Sequence, residues 1–394
     1  LSLKHLKDFF SAIDKQKEIK EFFKDYTGKK YILPTFSCRS ALYLAYKSLD
    51  RNGEVITSPL TCLTAILPIT HSGNNPVFTD IDPSTLNINP ELIENKISDN
   101  TIAIQVIHFA GYPCEMDKIT EITKQKNLSL IEDCAQSFGA KYMGRNVGSF
   151  GDVSCFSLAK NLYGIAGGIL ATDDEKIYQI AKKNQTDFED VSSFFLYYRF
   201  IRNYLKTKSD KSLFRNLHKK LIDLKDKTKN KSQTYFENDI KSLTNYLRKP
   251  DKRIYNISWS QIQSLENLHR RRINKANIYL EKINRHKNIK TPQNRNEIER
   301  SFVKFYISGD FNSQRDIEIL NKLGIEAKHL EEEYGVYYQE RFDKNPLFTK
   351  NNSLKECVNY LTVHDKLISL PLSEEITENE INNIIEALRD INKN

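Results

Sequence analysis

Four side chains with catalytic potential fall in one stretch of this sequence. They are Asp133, Gln136, Ser157 and Lys160, within IEDCAQSFGAKYMGRNVGSFGDVSCFSLAKNLYGIAGGIL, residues 131–170. Asp133 closes an apolar, β-like run, and Gln136 follows three residues later. A second such run ends at Ser157, Lys160 lies just beyond it, and the pair Gly167–Gly168 comes next. A lysine just past a buried strand can have a lowered pKa and act as an amine nucleophile. A carboxylate nearby can keep a pyridinium nitrogen protonated. Those are the two requirements of pyridoxal phosphate: a lysine for a Schiff base and an acidic partner for the ring nitrogen. Taken alone, the residues leave a second reading open, a solvated lysine after a strand with no chemistry attached.

The elements that would position these groups alternate. A helical pattern at 40–49 has apolar residues at Leu42, Leu44, Ala45 and Leu49. β-rich runs follow at 54–59, 76–82, 101–111, 128–136, 152–158 and 167–174, with polar helical patterns such as 117–126 between several of them. Strands alternating with helices predict an α/β layer structure with a mostly parallel sheet, whose chemistry lies beyond the carboxyl ends of the strands. Further along, the pattern predicts one long helix at 256–284, a strand at 301–309, a helix at 313–323 and a last helix at 378–388. Thr377 is the expected N-cap of that last helix, with Glu380 close behind it.

At 394 residues and 39% hydrophobic content, the chain is long enough for two or three domains and too apolar to be wholly disordered. No run reaches the roughly 18 apolar residues of a membrane span, and the first residues lack the apolar stretch of a secretory signal. The six cysteines are far apart, with no CxxC pair and no metal-ligand spacing. They read as reduced thiols of a cytosolic protein, with no metal site. The net charge of +8 is local: residues 191–253 carry 17 Lys and Arg against 6 Asp and Glu, so the rest of the chain is slightly acidic. That weakens any case for nucleic-acid binding by the whole molecule. The segment opens on the aromatic run SSFFLYYRFIRNYL. It continues with an apolar stripe at Leu213, Leu217, Leu221 and Leu224 and then a basic loop at 225–232. Two readings stand. It is either a helical elaboration packed by its aromatic face on the large domain, or an interfacial helix pair. In the second, Phe194, Phe195, Tyr197, Tyr198, Phe200 and Tyr204 would meet lipid head groups and the lysines anionic lipid.

The stretch at 131–170 resembles the DegT/StrS family of sugar aminotransferases, fold-type-I pyridoxal phosphate enzymes. IEDCAQ, GSFGD, CFS, Lys160 and Gly167–Gly168 fall in the family's order. EVITSPLTCLTAI, NNPVFTDIDPSTLNINPELIE, VIHFAGYPCEMDKI, YNISWSQIQSL and LISLPLSEEITENEI are similar to further family motifs, so the resemblance runs from about residue 36 to 388 and leaves out the basic segment. It implies a large cofactor domain at 1–275, with a mostly parallel seven-stranded sheet and the basic insertion at 191–253, and a small α/β domain at 276–394. It also implies pyridoxal 5'-phosphate as cofactor, with Lys160 and Asp133 as the catalytic pair. Lys160 would carry the cofactor and shuttle a proton, and Asp133 would face the ring nitrogen. Gln136 would lie against the ring or its hydroxyl, and Ser157 would donate to the phosphate. Ser37, Cys38 and Arg39 open the 40–49 helix and would turn their N–H groups to that phosphate. Asn256 matches an Asn that crosses a dimer interface to the partner's phosphate, so the site would be complete only in a homodimer.

The sequence departs from the family in places. Cys38-Arg39 replaces Gly-Thr, Cys62 stands where an aromatic residue often covers the ring, two residues are missing between Ser157 and Lys160, and Ser258 replaces an arginine. His329 falls near a substrate-loop position but reads as a surface histidine. His108 reads as a structural hydrogen-bonder. The function implied is transfer of an amino group from L-glutamate to a keto sugar on a nucleoside diphosphate, for glycan biosynthesis, in the cytoplasm with peripheral contact to the membrane's inner face through 191–253. Two alternatives remain. One is a pyridoxamine-dependent sugar dehydratase, a class that resembles this chain but carries His at the position of Lys160. The other is an inactive binding or membrane-scaffold protein.

Overall fold

The computed structural model describes residues 3–162, 164–206, 245–284, 288–309, 313–330 and 356–391. The amphipathic stripe at 213–224 and the basic loop at 225–232 lie outside the described residues. The chain begins with helices α1 (Leu3–Phe10) and α2 (Gln16–Thr27), then β1 (Tyr31–Thr35), α3 (Cys38–Lys47), β2 (Glu54–Thr57), α4 (Leu63–His71) and β3 (Asn75–Phe78). It continues with β4 (Thr101–Ile107), α5 (Met116–Lys126), β5 (Ser129–Cys134), the short strands β6 (Lys141–Tyr142) and β7 (Arg145–Asn146), β8 (Val153–Ser157) and β9 (Gly168–Thr172).

Seven of these strands form one sheet in the order β1-β9-β8-β5-β4-β2-β3. The pairs β3–β2, β2–β4, β4–β5 and β5–β8 are parallel, and β9 is antiparallel to both β8 and β1. Strands β4, β8 and β9 are buried along their whole length, which is why they read as continuous apolar runs rather than alternating ones. The topology places four chain segments at one edge. Strands β5 and β8 end there, at Cys134 and Ser157. Strand β1 ends there at Thr35, opposite Gly168, where β9 begins. Strand β1 is absent from the expected elements; its Pro34 donates no hydrogen bond, a residue tolerated at the sheet's edge where this strand lies.

After α6 (Glu175–Thr186) and α7 (Ser193–Lys206), the expected helix at 256–284 proves to be two, α8 (Lys252–Ile262) and α9 (Leu265–Ile283). The break falls at Ser264, which leaves helical geometry with φ −111° and ψ 7°. Helix α9 spans two cores: Leu265 packs with Phe156, Leu158 and Ile169 of the large sheet, whereas Ala276, Tyr279 and Ile283 pack with a second group. That second group covers a four-stranded antiparallel sheet of β10 (Ile289–Lys290), β12 (Phe305–Gly309), β14 (Leu367–Leu370) and β13 (Lys328–His329); β11 (Ile298–Glu299) pairs instead with β6. Helices α10 (Ser313–Lys322) and α12 (Glu378–Ile391) complete it, whereas α11 (Val358–Val363) places Tyr360 in a separate group with Leu63 of α4 and Phe78 of β3. Thr377 and Glu380 form the expected cap of α12: the Thr377 amide donates to Glu380 Oε2 at 2.7 Å, and the Glu380 amide donates to Thr377 Oγ1 at 3.2 Å.

One buried carboxylate ties the sheet to the loop before β8. Glu132 accepts from the amides of Gly148 (2.7 Å), Phe150 (2.7 Å) and Gly151 (2.5 Å), and His108 Nε2 lies 3.3 Å away. The Cys114 amide donates to His108 Nδ1 at 3.0 Å, so that nitrogen is the acceptor and Nε2 carries the proton given to Glu132. His108 therefore has the structural role expected. Burial alone would raise the Glu132 pKa, but donation from His108 and the loop amides holds it below the usual carboxylate value. A depressed carboxyl pKa contributes stability that is present above the unfolded value, near pH 4.3, and is lost as pH falls through the folded one. Glu132→Gln is expected to lower stability at pH 7 by about 3 kcal/mol and to flatten the acid limb of the stability curve. Urea midpoints measured from pH 7 to pH 4 check both.

Candidate functional site

The strand ends meet where α3 begins. Ser37 caps that helix in an extended conformation, and its hydroxyl accepts from the Ser40 amide at 3.1 Å. Ser37 also bridges to Gly167, whose amide donates to Phe36 O at 2.7 Å. Gly167 has φ +108°, a left-handed conformation that a side chain would strain. Gly168 is needed for space: a Cβ there would sit 2.2 Å from Ser37 C and 2.5 Å from Cys38 N. The glycine pair thus allows the amino end of α3 to press against β9. The amides of Cys38 and Arg39 have no carbonyl within the helix to bind, and the helix dipole adds partial positive charge there.

This contact floors a cavity of about 260 Å³ lined by Ser37, Cys38, Arg39, Cys62, Asp133, Ser157 and Lys160. Seven of the nine site residues expected from the sequence therefore share one space. Asp133 is buried; its Oδ1 accepts from the Ala135 amide at 2.9 Å and lies 3.7 Å from Cys38 Sγ. Burial pushes its carboxyl pKa up, against the opposing pull of the Lys160 charge. Lys160 lines the cavity yet is solvent-exposed, so β8 by itself does not desolvate it. Ser157 ends β8 with its hydroxyl accepting weakly from the Ala159 amide at 3.3 Å. Cys38 donates its thiol to Cys155 O at 3.4 Å, and burial, with Asp133 nearby, pushes its pKa well above the usual thiol value. Its part at an anion is therefore its backbone amide. Cys62 precedes α4, and its sulfur pairs with Thr64 Oγ1 at 2.8 Å. Arg39 lies flat on the ring of Tyr246, 4.0 Å from its centroid.

Two expected residues lie elsewhere. Gln136 is buried but is not among the lining residues, and its Oε1 accepts from the Ala110 amide at 2.8 Å. Asn256 lies in α8, where its carboxamide accepts from the Lys15 amide at 3.1 Å and donates to Ile13 O at 2.7 Å, fixing the link between α1 and α2. His329, expected at the surface, is instead buried, 8% exposed, where β13 pairs with β14 opposite Ile368. Three lining residues with polar side chains were missed: Thr64, Arg199 and Tyr246. The last two come from the 191–253 segment, whose lysines and aromatics carried no sequence signal for a cavity.

The donor set fits pyridoxal phosphate. A helix amino terminus, the Ser157 hydroxyl and the Arg39 guanidinium suit a phosphate; Asp133, raised by burial, suits a protonated ring nitrogen; Lys160 suits a carbonyl carbon. The sequence profile of the DegT/DnrJ/EryC1/StrS aminotransferase family matches residues 6–190 and 251–389. The chain belongs to this family. The dTDP-3-amino-3,6-dideoxy-alpha-D-galactopyranose transaminase of Aneurinibacillus thermoaerophilus is 27% identical over 93% of this chain and 87% of its own. The GDP-perosamine synthase of Escherichia coli O157:H7 is 41% identical over 35% of this chain and 39% of its own. Three curated relatives at 39–41% identity align over less than half of their own length (46%, 43% and 39%). The structure of Helicobacter pylori PseC, an aminotransferase involved in the biosynthesis of pseudoaminic acid, superposes with a TM-score of 0.75 over 100% of this chain and 98% of that one, at 19% identity. The fold is that of these family aminotransferases, as the resemblance implied.

A buried carboxyl with a raised pKa stabilises the fold only while protonated, and its contribution is lost as pH rises through that value. Asp133→Asn is therefore expected to leave the cofactor-free protein at pH 7 as stable as the wild type or more so. Paired urea denaturations check this, and a loss of stability would mean that the Asp133 charge is structural.

Proposed function

We propose that this chain is a pyridoxal-phosphate-dependent aminotransferase acting between L-glutamate and a keto sugar carried on a nucleoside diphosphate, in glycan biosynthesis. The observation that carries the reading is the cavity that gathers Asp133 from β5, Ser157 and Lys160 from the end of β8 and the turn after it, and the amino end of α3. The substrate class rests on the activities of two relatives, a dTDP-sugar transaminase and a GDP-perosamine synthase. When bound, pyridoxal phosphate supplies an electron sink and carries the amino group between two half-reactions.

The residues divide the remaining work. The amides of Cys38 and Arg39, with the Ser157 hydroxyl and the Arg39 side chain, hold the phosphate. Asp133 keeps a proton on the ring nitrogen, and the cation it faces there offsets the burial that otherwise raises its pKa. The Lys160 amine would hold the cofactor at its carbonyl carbon, with loss of water; once the amino donor's nitrogen displaced it there, the freed amine would take and return the proton moved at the substrate carbon that bears nitrogen. Gln136 acts at one remove, orienting the Ala110 backbone. Borohydride reduction of the cofactor-loaded protein, followed by digestion and mass spectrometry, is expected to place a pyridoxyl group on Lys160. Lys160→Ala is expected to lower turnover by about 10³-fold or more, with ping-pong kinetics in the wild type. A label on another lysine, or none, would overturn the assignment.

The proposed assembly is a cytoplasmic homodimer with shared active sites and with domains meeting near residue 275, the point beyond which α9 joins the second core. Its support is the resemblance at Asn256, which would have to exchange its bonds to Ile13 and Lys15 for a partner's phosphate. We also propose that 191–253 touches anionic membrane peripherally. Among the described residues no helix is long and apolar enough to cross a membrane. Helix α7 turns Leu196 and Phe200 into the core and leaves Phe194 80% and Ile201 50% exposed. So of the six aromatics expected at lipid, Phe200 is committed to the protein, and Phe195 and Tyr204 pack partly against its core. Flotation with phosphatidylserine vesicles at low salt is expected to carry the wild type and to carry Phe194→Ser/Ile201→Ser less. Wild-type protein left at the bottom would end this part of the proposal.

A further inference from the structure

The family profile stops at residue 190 and resumes at 251, yet two residues between those limits, Arg199 and Tyr246, line the cavity. They are held there by specific contacts. Glu189 and Arg248 pair at the base of the segment, and the Lys249 amide donates to Glu189 O at 2.8 Å. Helix α7 is anchored by buried Leu196 and Phe200, and Asn203 Nδ2 donates to Gly164 O at 3.2 Å, four residues beyond Lys160. The Ser40 hydroxyl donates to Tyr246 O, and the Tyr246 ring packs near Phe36. The segment is thus bonded to the first turn of α3 and to the turn after Lys160.

Its chemistry points to an anion. The guanidinium of Arg39 lies on the Tyr246 ring, and Arg199 Nη1 approaches the Tyr246 hydroxyl at 3.4 Å, so one tyrosine holds two arginines beside the amino end of α3. Arg199 Nε is buried and, among the described residues, has no hydrogen-bond partner. With Lys160, three cationic side chains line the cavity against one carboxylate, Asp133. Burial, together with the neighbouring Arg199 charge, also lowers the Arg39 pKa, which bound anion would reverse. Arginine's forked donors match phosphoryl oxygens better than any other side chain does.

We infer that Arg199, delivered by a segment outside the family profile and braced with Arg39 across Tyr246, is a phosphoryl-binding residue of this cavity. The phosphoryl group has two possible sources, the cofactor's monoester or the diphosphate of the sugar nucleotide. The inference rests on the proposed function, because it deepens the assignment of the same site.

The full-length wild type, Arg199→Gln and Arg199→Lys are titrated with pyridoxal phosphate and with pyridoxal, followed by absorbance. The cofactor-loaded proteins are titrated calorimetrically with inorganic pyrophosphate, which needs no base for recognition. If Arg199 meets the cofactor, Arg199→Gln weakens pyridoxal phosphate binding about tenfold, leaves pyridoxal unchanged, and Arg199→Lys recovers part of the loss. If it meets the nucleotide, cofactor affinity stays the same and pyrophosphate binding falls by a similar factor. Affinities within about twofold of wild type for both phosphate ligands, or equal losses for pyridoxal and pyridoxal phosphate, overturn the inference. A wild type that fails to bind pyridoxal phosphate at all refutes the proposed function itself, which keeps the two failures distinct. Thermal midpoints confirm that the variants are folded.

Discussion

The close approach of Gly167–Gly168 to Ser37–Cys38 is the constraint on which the site depends. A methyl group at Gly168 would overlap the Ser37 carbonyl carbon, so the start of β9 and the start of α3 can meet only without a side chain there. That contact sets the first residues of α3, Cys38 and Arg39, against the cavity. It also aligns β9, which runs against its neighbours β1 and β8 and so brings the turn after Lys160 back to the same edge. The placement of the amino end of α3 and that of Lys160 thus share one packing requirement.

Two adjacent acids in β5 show how burial is used differently along one strand. Successive side chains point to opposite faces of the sheet. Glu132 faces a ring of donors and is held ionised by them. Asp133 faces the cavity, where its carboxylate accepts from the Ala135 amide and lies 3.7 Å from a thiol, and burial raises its pKa. The first carboxylate is satisfied by the fold. The second is under-stabilised until a cation arrives, which is the state expected of a group whose partner is a bound ligand.

The insertion ties one wall of the cavity to the scaffold. Its α7 buries one face in the large core while its Arg199 and the downstream Tyr246 reach the cavity beside Arg39. A segment that a sequence comparison treats as an accessory is, in space, a wall of the site. Its outward face, carrying Phe194 and Ile201, is left for a surface role.

The sequence by itself determined the alternation of strands and helices, the family, and the cluster Asp133–Ser157–Lys160, because strand burial and the IEDCAQ and CFS motifs are local patterns. It also carried the cap at Thr377 and Glu380, whose geometry spans three residues. Only the tertiary structure decided which of the expected residues share the cavity. Gln136 and Asn256 carry the right chemical groups, but their hydrogen bonds are taken by Ala110 and by Ile13 and Lys15. His329 reads as polar surface until β13 pairs with β14, about 40 residues further along the chain. Arg199 and Tyr246 lie 47 residues apart, on either side of the apolar stripe at 213–224, and their meeting with Arg39 is set by long-range packing. Pairings of that kind depend on which surfaces the folded chain brings together, and nothing in the local order of residues encodes them.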